Sequence, residues 1–175
     1  MVGEPMKITS LEEYGLRCLL RLAQADRGQS LTIPEIAAAE GLSAPYVAKL
    51  LAVLRQAGLI ESVRGRAGGY RLARRPAEIS LGAVMMALGE PLFDDPGFCD
   101  RHPGTESNSC VHLGACTLRA LWQTLEHWMR RALEQISLAD LLESEGRITE
   151  LLRSRLTDAV QDRPSGLIAL GRVLE

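Results

Sequence analysis

Three of the four cysteines lie close together in the sequence, at Cys99, Cys110 and Cys116. Thiolates are soft ligands, and three of them in one short segment suit a metal ion or an iron–sulfur cluster. Ten residues separate the first two cysteines and five separate the last two. Because the segment contains several prolines and glycines, we expect an irregular loop. A metal centre held there could be assembled, oxidised or lost.

The type of metal centre depends on the other side chains nearby. His112 and His102 lie in the same segment, so zinc held by three cysteines and a histidine is the alternative to a cluster. Three incidental thiols are the plain alternative, but exposed thiols in a loop are prone to oxidation. Cys18 lies among leucines, and we expect it to be a small buried apolar residue. His127 is expected on the polar face of a helix.

Electric charge is unevenly distributed along the chain, although the formal net charge is only −2. Residues 1–80 carry 11 Lys+Arg against 8 Asp+Glu, and residues 81–175 carry 9 against 14. One stretch of the first half contains a single acidic residue, Glu61, and seven basic ones: Lys49, Arg55, Arg64, Arg66, Arg71, Arg74 and Arg75. A phosphate backbone selects such local positive charge.

Hydrophobic periodicity predicts three helices before this basic stretch ends. The first covers residues 11–25, and Ser10 could cap it with Glu13 as the partner in a capping box. Thr32 and Ser43 would cap the next two helices, which are joined by a tight glycine turn. Two helices joined in this way form a helix-turn-helix.

The period changes toward two after the third helix. The segments LIESVRG and GYRLAR predict paired strands around a glycine-rich turn at residues 64–69. A helix-turn-helix followed by a hairpin is a winged helix. We therefore expect a mainly α protein with a small β-hairpin wing.

A long amphipathic helix is predicted from about residue 117 to residue 136, with apolar residues at spacings of three and four. Both tryptophans lie on it, and its apolar surface predicts a dimer interface. Ser137 would cap a further short helix, and residues 146–175 contain another helical stretch. These elements suggest three regions: residues 6–80, a winged helix-turn-helix; residues 81–145, the cysteine loop and dimerisation helix; and residues 146–175, an extension of unassigned role.

The winged helix predicts which residues would touch DNA. The first turns of the third helix would enter the major groove, and arginines of the wing would enter the narrow minor groove. Gly68 would offer a backbone N–H group. The predicted DNA-contacting residues are Ser43, Pro45, Tyr46, Lys49, Arg64, Arg66 and Gly68. The alternative is that these are ordinary surface residues.

No sequence feature predicts catalysis or membrane insertion. The chain has no nucleophile–base motif and no phosphate loop, so we expect that it is not an enzyme. No apolar run reaches the ~18 residues that span a bilayer, and the start of the chain lacks a signal-peptide pattern. Cysteines without a secretion signal suggest the reducing cytoplasm.

Three parts of the chain resemble the Rrf2 family of winged-helix regulators, the group of IscR, NsrR and RsrR. They are MKITSLEEYGLRCLLRLA, LSAPYVAKLLAVLRQAGLIESVRGRAGGYRLAR, and the cysteine loop followed by a long helix. The resemblance covers residues 6–145. It implies a homodimer with crossing long helices and a cluster held by Cys99, Cys110 and Cys116.

The resemblance also implies a fourth cluster ligand. In NsrR-like and RsrR-like members this ligand is an acidic side chain on the first helix of the other subunit, and aligning MKITSLEEY places Glu13 there. The alternative is the capping-box role of Glu13. IscR-like members use a histidine three residues after the third cysteine, where this chain has Arg119. The longer first gap between cysteines also departs from IscR-like loops.

Taken together, these features predict a cytoplasmic homodimer that binds a double-stranded DNA operator and represses transcription. An iron–sulfur cluster, either 2Fe–2S or 4Fe–4S, would report redox state, nitric oxide or iron supply. The alternatives are a thiol-based or zinc-based regulator without a cluster, and an iron–sulfur carrier protein.

Overall fold

The computed structural model describes residues 8–25, 29–65, 68–89 and 116–161. Within these ranges the chain forms six α-helices, one two-stranded antiparallel hairpin and two 3-10 turns. The expected class, a mainly helical protein with one small hairpin, is confirmed. Five residues singled out in the sequence lie outside the described ranges: Arg66, Cys99, His102, Cys110 and His112.

Helix α1 (Ser10–Gln24) begins one residue earlier than the sequence suggested. Its N-cap is Thr9, whose hydroxyl accepts a hydrogen bond from the Glu12 N–H at 3.2 Å. The Glu12 carboxylate accepts one from the Thr9 N–H at 2.7 Å. The predicted pairing of Ser10 with Glu13 is therefore wrong, because Ser10 is already helical and the reciprocal pair forms one position earlier.

Helices α2 (Ile33–Glu40) and α3 (Ala44–Gln56) form the helix-turn-helix, with a bend of 111° between them. Thr32 caps α2 as predicted, and it forms a reciprocal capping box with Glu35. Gly41 ends α2 with a φ of 66°, a left-handed conformation that favours glycine. No single described helix is long and apolar enough to span a membrane; α2 and α3 together reach that length and composition only across the bend.

Strands β1 (Ile60–Val63) and β2 (Gly69–Leu72) pair antiparallel and form the predicted wing hairpin. The backbones of Leu31 and Tyr70 exchange two hydrogen bonds of 2.9 Å and 2.8 Å, which join the hairpin to the segment before α2. A Cβ at Gly69 would lie 2.6 Å from the Leu31 carbonyl oxygen. Glycine is therefore required where the hairpin meets this segment.

The core lies between α1, α3, the hairpin and helix α4 (Leu81–Leu88), which Ser80 caps. Gly15 allows α1 to approach α4, because a Cβ there would lie 2.6 Å from the Leu88 methyl groups. Each fully buried Leu or Ile contributes about 1.5–3 kcal/mol. The largest buried side chains are aliphatic: Leu19, Ile36, Leu50, Leu51, Leu54, Leu59, Ile60, Ile79 and Leu138.

Helix α5 (Thr117–Glu134) is the predicted long helix, and it ends two residues before the expected end at residue 136. The chain then returns to the core, where the Leu81 N–H donates to the Ile136 carbonyl at 2.7 Å. The Leu138 N–H likewise donates to the Ile79 carbonyl at 2.8 Å. The end of α5 is thus fixed to the first residues of α4.

The segment after α5 differs from the prediction. Ser137 was expected to cap a helix, but Ser137 and Asp140 bond reciprocally and close only a 3-10 turn, Asp140–Leu142. Helix α6 (Glu145–Gln161) follows and contacts α5. It confirms the helical stretch expected in the extension.

Candidate nucleic-acid interface and cluster ligands

The amino-terminal end of α3 presents four residues predicted to contact DNA. Ser43, Pro45 and Lys49 are exposed, and Tyr46 is half-buried. Ser43 takes the expected N-cap position, but its hydroxyl makes no capping hydrogen bond. That hydroxyl can therefore bind a phosphate or a base edge. Lys49 makes no ion pair with any described residue, so its charge is not neutralised within this part of the chain.

Tyr46 has a contact that the sequence did not indicate. Its ring packs edge-on against the ring of Tyr14 on α1, with the ring centroids 6.0 Å apart and the planes at 83°. The Arg17 guanidinium lies 5.5 Å from the centroid of the Tyr14 ring. The body of Tyr46 thus joins the two helices, and a contact of its hydroxyl with DNA stays a prediction.

Arg17 and Arg21 hold α1 against the end of α2. Their Nε atoms lie 2.9 Å from the two carboxylate oxygens of Glu40. Arg17 also donates from Nη2 to the Glu40 backbone carbonyl at 3.0 Å. Sequence reasoning missed this cluster. Two arginines four residues apart among leucines were the available signal, because such a pair shares one helix face.

In the wing, Arg64 is exposed and makes no ion pair with a described residue. Gly68 does not present its N–H as expected, because that group donates to the Gly65 carbonyl at 2.9 Å. A Cβ at Gly68 would lie 2.7 Å from the Gly65 carbonyl oxygen. The close approach of Gly68 to Gly65 within the hairpin therefore explains why a glycine is needed here. The Gly68 N–H, already bonded to Gly65, is not available to donate to DNA as predicted.

The positive charge of residues 49–75 is partly neutralised by ion pairs with acidic residues of the same chain. Arg71 Nε lies 2.7 Å from the Glu61 carboxylate across the hairpin. Arg75 binds Glu78, and this hydrogen bond holds the pKa of the Glu78 carboxyl below its usual value. The remaining exposed charges that can meet a phosphate backbone are concentrated on α3 and the wing.

Two of the four predicted cluster ligands lie in the described residues, and both are accessible. Glu13 is exposed, and its carboxylate makes no hydrogen bond or ion pair there. Cys116 is half-exposed at the N-cap of α5, where its Sγ accepts a hydrogen bond from the Arg119 N–H at 3.4 Å. No group of three or more His, Cys, Asp or Glu side chains that could hold a metal occurs in the described ranges.

Cys18 has the buried, apolar surroundings that the sequence predicted. Its side chain is inaccessible to solvent in the core. Burial, with a smaller contribution from the negative charge of Glu40, raises the pKa of its thiol to about 11. Since the thiolate is the reactive and metal-binding form, Cys18 is unsuited to ligand or sensor chemistry.

Helix α5 leaves apolar side chains exposed along one stripe. The exposed fractions are 61% for Leu118, 46% for Leu121, 39% for Leu125 and 40% for Trp128. Their spacing of three, four and three residues places them on one face of the helix. The stripe includes part of the predicted dimer interface.

Comparisons with known proteins agree on one family. Residues 8–144 match the family model described as Rrf2, iron-dependent transcriptional regulator. The chain is 40% identical over 151 residues to the HTH-type transcriptional regulator NsrR of Geobacillus kaustophilus, an alignment that covers 86% of this chain and 99% of that protein.

Solved structures show the same architecture. T. potens IscR has a TM-score of 0.60 and 32% identity, with 79% of this chain and 87% of that chain covered. The oxidized form of Staphylococcus aureus CymR has a TM-score of 0.56 and 31% identity, with 79% of this chain and 98% of that chain covered.

Proposed function

Because the chain belongs to the Rrf2 family of transcriptional regulators, we propose that it is a cytoplasmic, homodimeric repressor whose DNA binding depends on an iron–sulfur cluster. Cys99, Cys110 and Cys116 of one subunit and Glu13 of the other would hold the cluster. Redox state, nitric oxide or iron supply would be the signal. A two-iron and a four-iron cluster both satisfy the proposal.

The observation that carries the cluster proposal is that both described donors are accessible to a ligand. The capping box at α1 uses Glu12, which leaves the Glu13 carboxylate exposed. The Cys116 sulfur accepts one backbone N–H and remains half-exposed. Three thiolates and one carboxylate are a donor set that iron accepts. When bound, the cluster supplies iron that is oxidised, reduced or released as conditions change.

The ligands would connect two elements of the dimer. Cys116 is at the first turn of α5, and Glu13 is in the first turn of α1. A ligand set shared between subunits would fix α1 of one subunit relative to α5 of the other. Losing that connection would change the separation of the two α3 helices. Because a dimer binds half-sites at a fixed spacing, such a shift would weaken both sets of contacts.

The exposed stripe of α5 supports the homodimer. Leu118, Leu121, Leu125 and Trp128 repeat as the a and d positions of a coiled coil do. Covering these side chains with the same helix of a second chain would remove them from water. A monomeric surface seldom keeps such a continuous row of large apolar side chains.

The test is anaerobic purification followed by native mass spectrometry, which gives the mass of the bound inorganic unit. Operator affinity is then measured by fluorescence anisotropy for the cluster-loaded protein and for apoprotein from the same batch. We expect the two affinities to differ by about 100-fold, which requires only about 2.7 kcal/mol of differential stabilisation. Iron-free protein, or equal affinities of the two forms, would contradict the proposal.

A thiol-based regulator is the second candidate, and the similarity to the oxidized form of S. aureus CymR favours it specifically. In that case anaerobic protein would contain no iron. Oxidation of Cys99, Cys110 or Cys116 would change DNA affinity, and a reductant would restore it. Zinc would show directly as the mass of one metal ion. An iron–sulfur carrier would lack operator binding, which the family assignment opposes.

A further inference from the structure

We infer that Tyr14 is a positioning residue that sets the orientation of the recognition helix α3 through its contact with Tyr46. This inference rests on the proposed function, because it assigns a route by which α1 influences DNA binding. Tyr14 contacts Tyr46 on α3, and it directly follows Glu13 in α1.

The direct contact joins two elements at their functional ends. Tyr14 lies in the second turn of α1, and Tyr46 lies in the first turn of α3. The rings meet edge to face with their centroids 6.0 Å apart, a geometry that aromatic pairs favour. Both rings are half-buried and pack against the edge of the apolar core. Any rotation or translation of α1 at this level therefore moves the ring against which Tyr46 rests.

A second route connects Tyr14 to the turn before α3. The Arg17 guanidinium lies 5.5 Å from the centre of the Tyr14 ring, a distance at which a cation is attracted to an aromatic face. Arg17 binds both the carboxylate and the backbone carbonyl of Glu40. Glu40 is the last residue of α2, and its side chain is only 9% exposed. Tyr14 thus contributes to holding both sides of the turn.

The rest of the interface between α1 and α3 does not provide the same sensitivity because it belongs to a closed core. Cys18 and Leu19 of α1 and Val47 and Leu50 of α3 have no exposed surface. Dense packing of this kind resists gradual deformation. The aromatic contact at the edge of the core is where a small displacement of α1 reaches the DNA-facing end of α3. Lys49 lies one turn after Tyr46 and moves with it.

The test is a double-variant cycle on operator affinity, measured by fluorescence anisotropy with the cluster-loaded homodimer. Tyr14→Leu should weaken binding by about 2- to 10-fold, the scale of one aromatic pair. In the Tyr46→Leu background, Tyr14→Leu should have no further effect. Unchanged affinity for Tyr14→Leu, or effects that simply add, would overturn the inference.

Controls separate positioning from general stability. Tyr14→Phe keeps the ring and should bind as the wild type does. Leu20→Ala, a half-buried core variant on the same helix, should lower the melting temperature without changing the affinity of the folded protein. If Tyr14→Leu does not fold, Tyr14→Met keeps apolar volume without a ring and serves the same cycle.

A further measurement distinguishes failure of this inference from failure of the proposed function. The ratio of holo to apo affinity is measured for the wild type and for Tyr14→Leu. Equal wild-type affinities would reject the cluster-dependent function, while the double-variant cycle would still decide the positioning role. A wild-type ratio that Tyr14→Leu leaves unchanged would reject the transmission route and retain cluster-dependent regulation.

Discussion

Glu12 and Glu13 are adjacent glutamates with different surroundings. The Glu12 carboxylate closes the capping box with Thr9, whereas the Glu13 carboxylate has no described partner. A capping interaction stabilises a helix end locally, while an uncommitted carboxylate one residue later is available to a ligand. The two residues therefore provide a matched pair of variants that separates folding from cluster binding.

Replacing Glu13 by Ala should shorten the lifetime of the cluster or alter its absorbance spectrum, with little change in the thermal stability of apoprotein. Replacing Glu12 by Ala should leave the lifetime and spectrum of the cluster unchanged. It should cost roughly 0.5–1 kcal/mol of folding stability, since the reciprocal hydrogen bond is lost. Anaerobic absorbance decay and thermal melts measure the two effects. An unchanged cluster in Glu13→Ala would remove Glu13 from the ligand set.

Cys18 and Cys116 differ in their accessibility to solvent. With a pKa of about 11, the Cys18 thiol is almost entirely protonated at pH 8, whereas the half-exposed Cys116 is accessible. Iodoacetamide should therefore alkylate Cys116 of the folded apoprotein and leave Cys18 unmodified until the protein is denatured. Peptide mass spectrometry over time measures this. Early labelling of Cys18 would show that α1 opens readily.

Helix α5 exposes a row of large apolar side chains among the described residues. Its buried residues are Glu126, which pairs with Arg130, and Ala132, which lies near the end that returns to the core, while the stripe from Leu118 to Trp128 remains exposed. Ala132 continues the spacing of the stripe by four residues, so the same face of α5 is covered at its carboxyl end and uncovered toward its amino end. An uncovered apolar row of this kind is expected at an interface. Substitutions on this face of α5 therefore test the proposed homodimer.

Replacing Leu121 and Leu125 by Glu should convert the proposed homodimer to a monomer, because each charge would have to be buried at the interface. Sedimentation velocity or light scattering gives the mass. Gln123→Glu is the control, since Gln123 is exposed on the same helix but lies away from the stripe. If the double variant keeps the wild-type mass, the dimer uses another surface.

For the whole molecule, DNA binding depends on how many charges remain unpaired when the chain is folded. Seven basic residues lie in the stretch 49–75, but Arg71 and Arg75 are engaged by Glu61 and Glu78. The net charge of −2 says little about this surface. DNA binding depends instead on the local electrostatic potential of the surface formed by α3 and the wing.

Lys49→Ala and Arg64→Ala should each weaken operator binding and reduce the steepness of its salt dependence. The slope of log K against log salt should fall in magnitude by about 1 for each phosphate contact removed, and by about 2 in a homodimer. The double variant Glu61→Gln, Arg71→Gln is the matched control, because it removes a neutral pair. An unchanged slope of log K against log salt in the single variants would show that the DNA interface lies on another surface.

The sequence by itself determined the order of elements and the family, because both depend on local patterns. The Thr32 cap, the glycine turn at Gly41 and the paired strands all involve residues close in the chain. Apolar periodicity likewise identified the three helices before the hairpin and the apolar face of α5. Resemblance supplied the proposed ligands, and the metal centre itself stays a prediction.

Only the tertiary structure decided which of two neighbouring residues makes a hydrogen bond or side-chain contact and which does not. Thr9 replaced Ser10 as the cap, and the N–H of Gly68 was directed into its own turn. The contacts of Tyr14 with Tyr46 and of Arg17 with Glu40 join different helices, the latter across 23 residues of sequence. Such pairs arise from the docking of helices on a shared core, and no local periodicity encodes which side chains then meet.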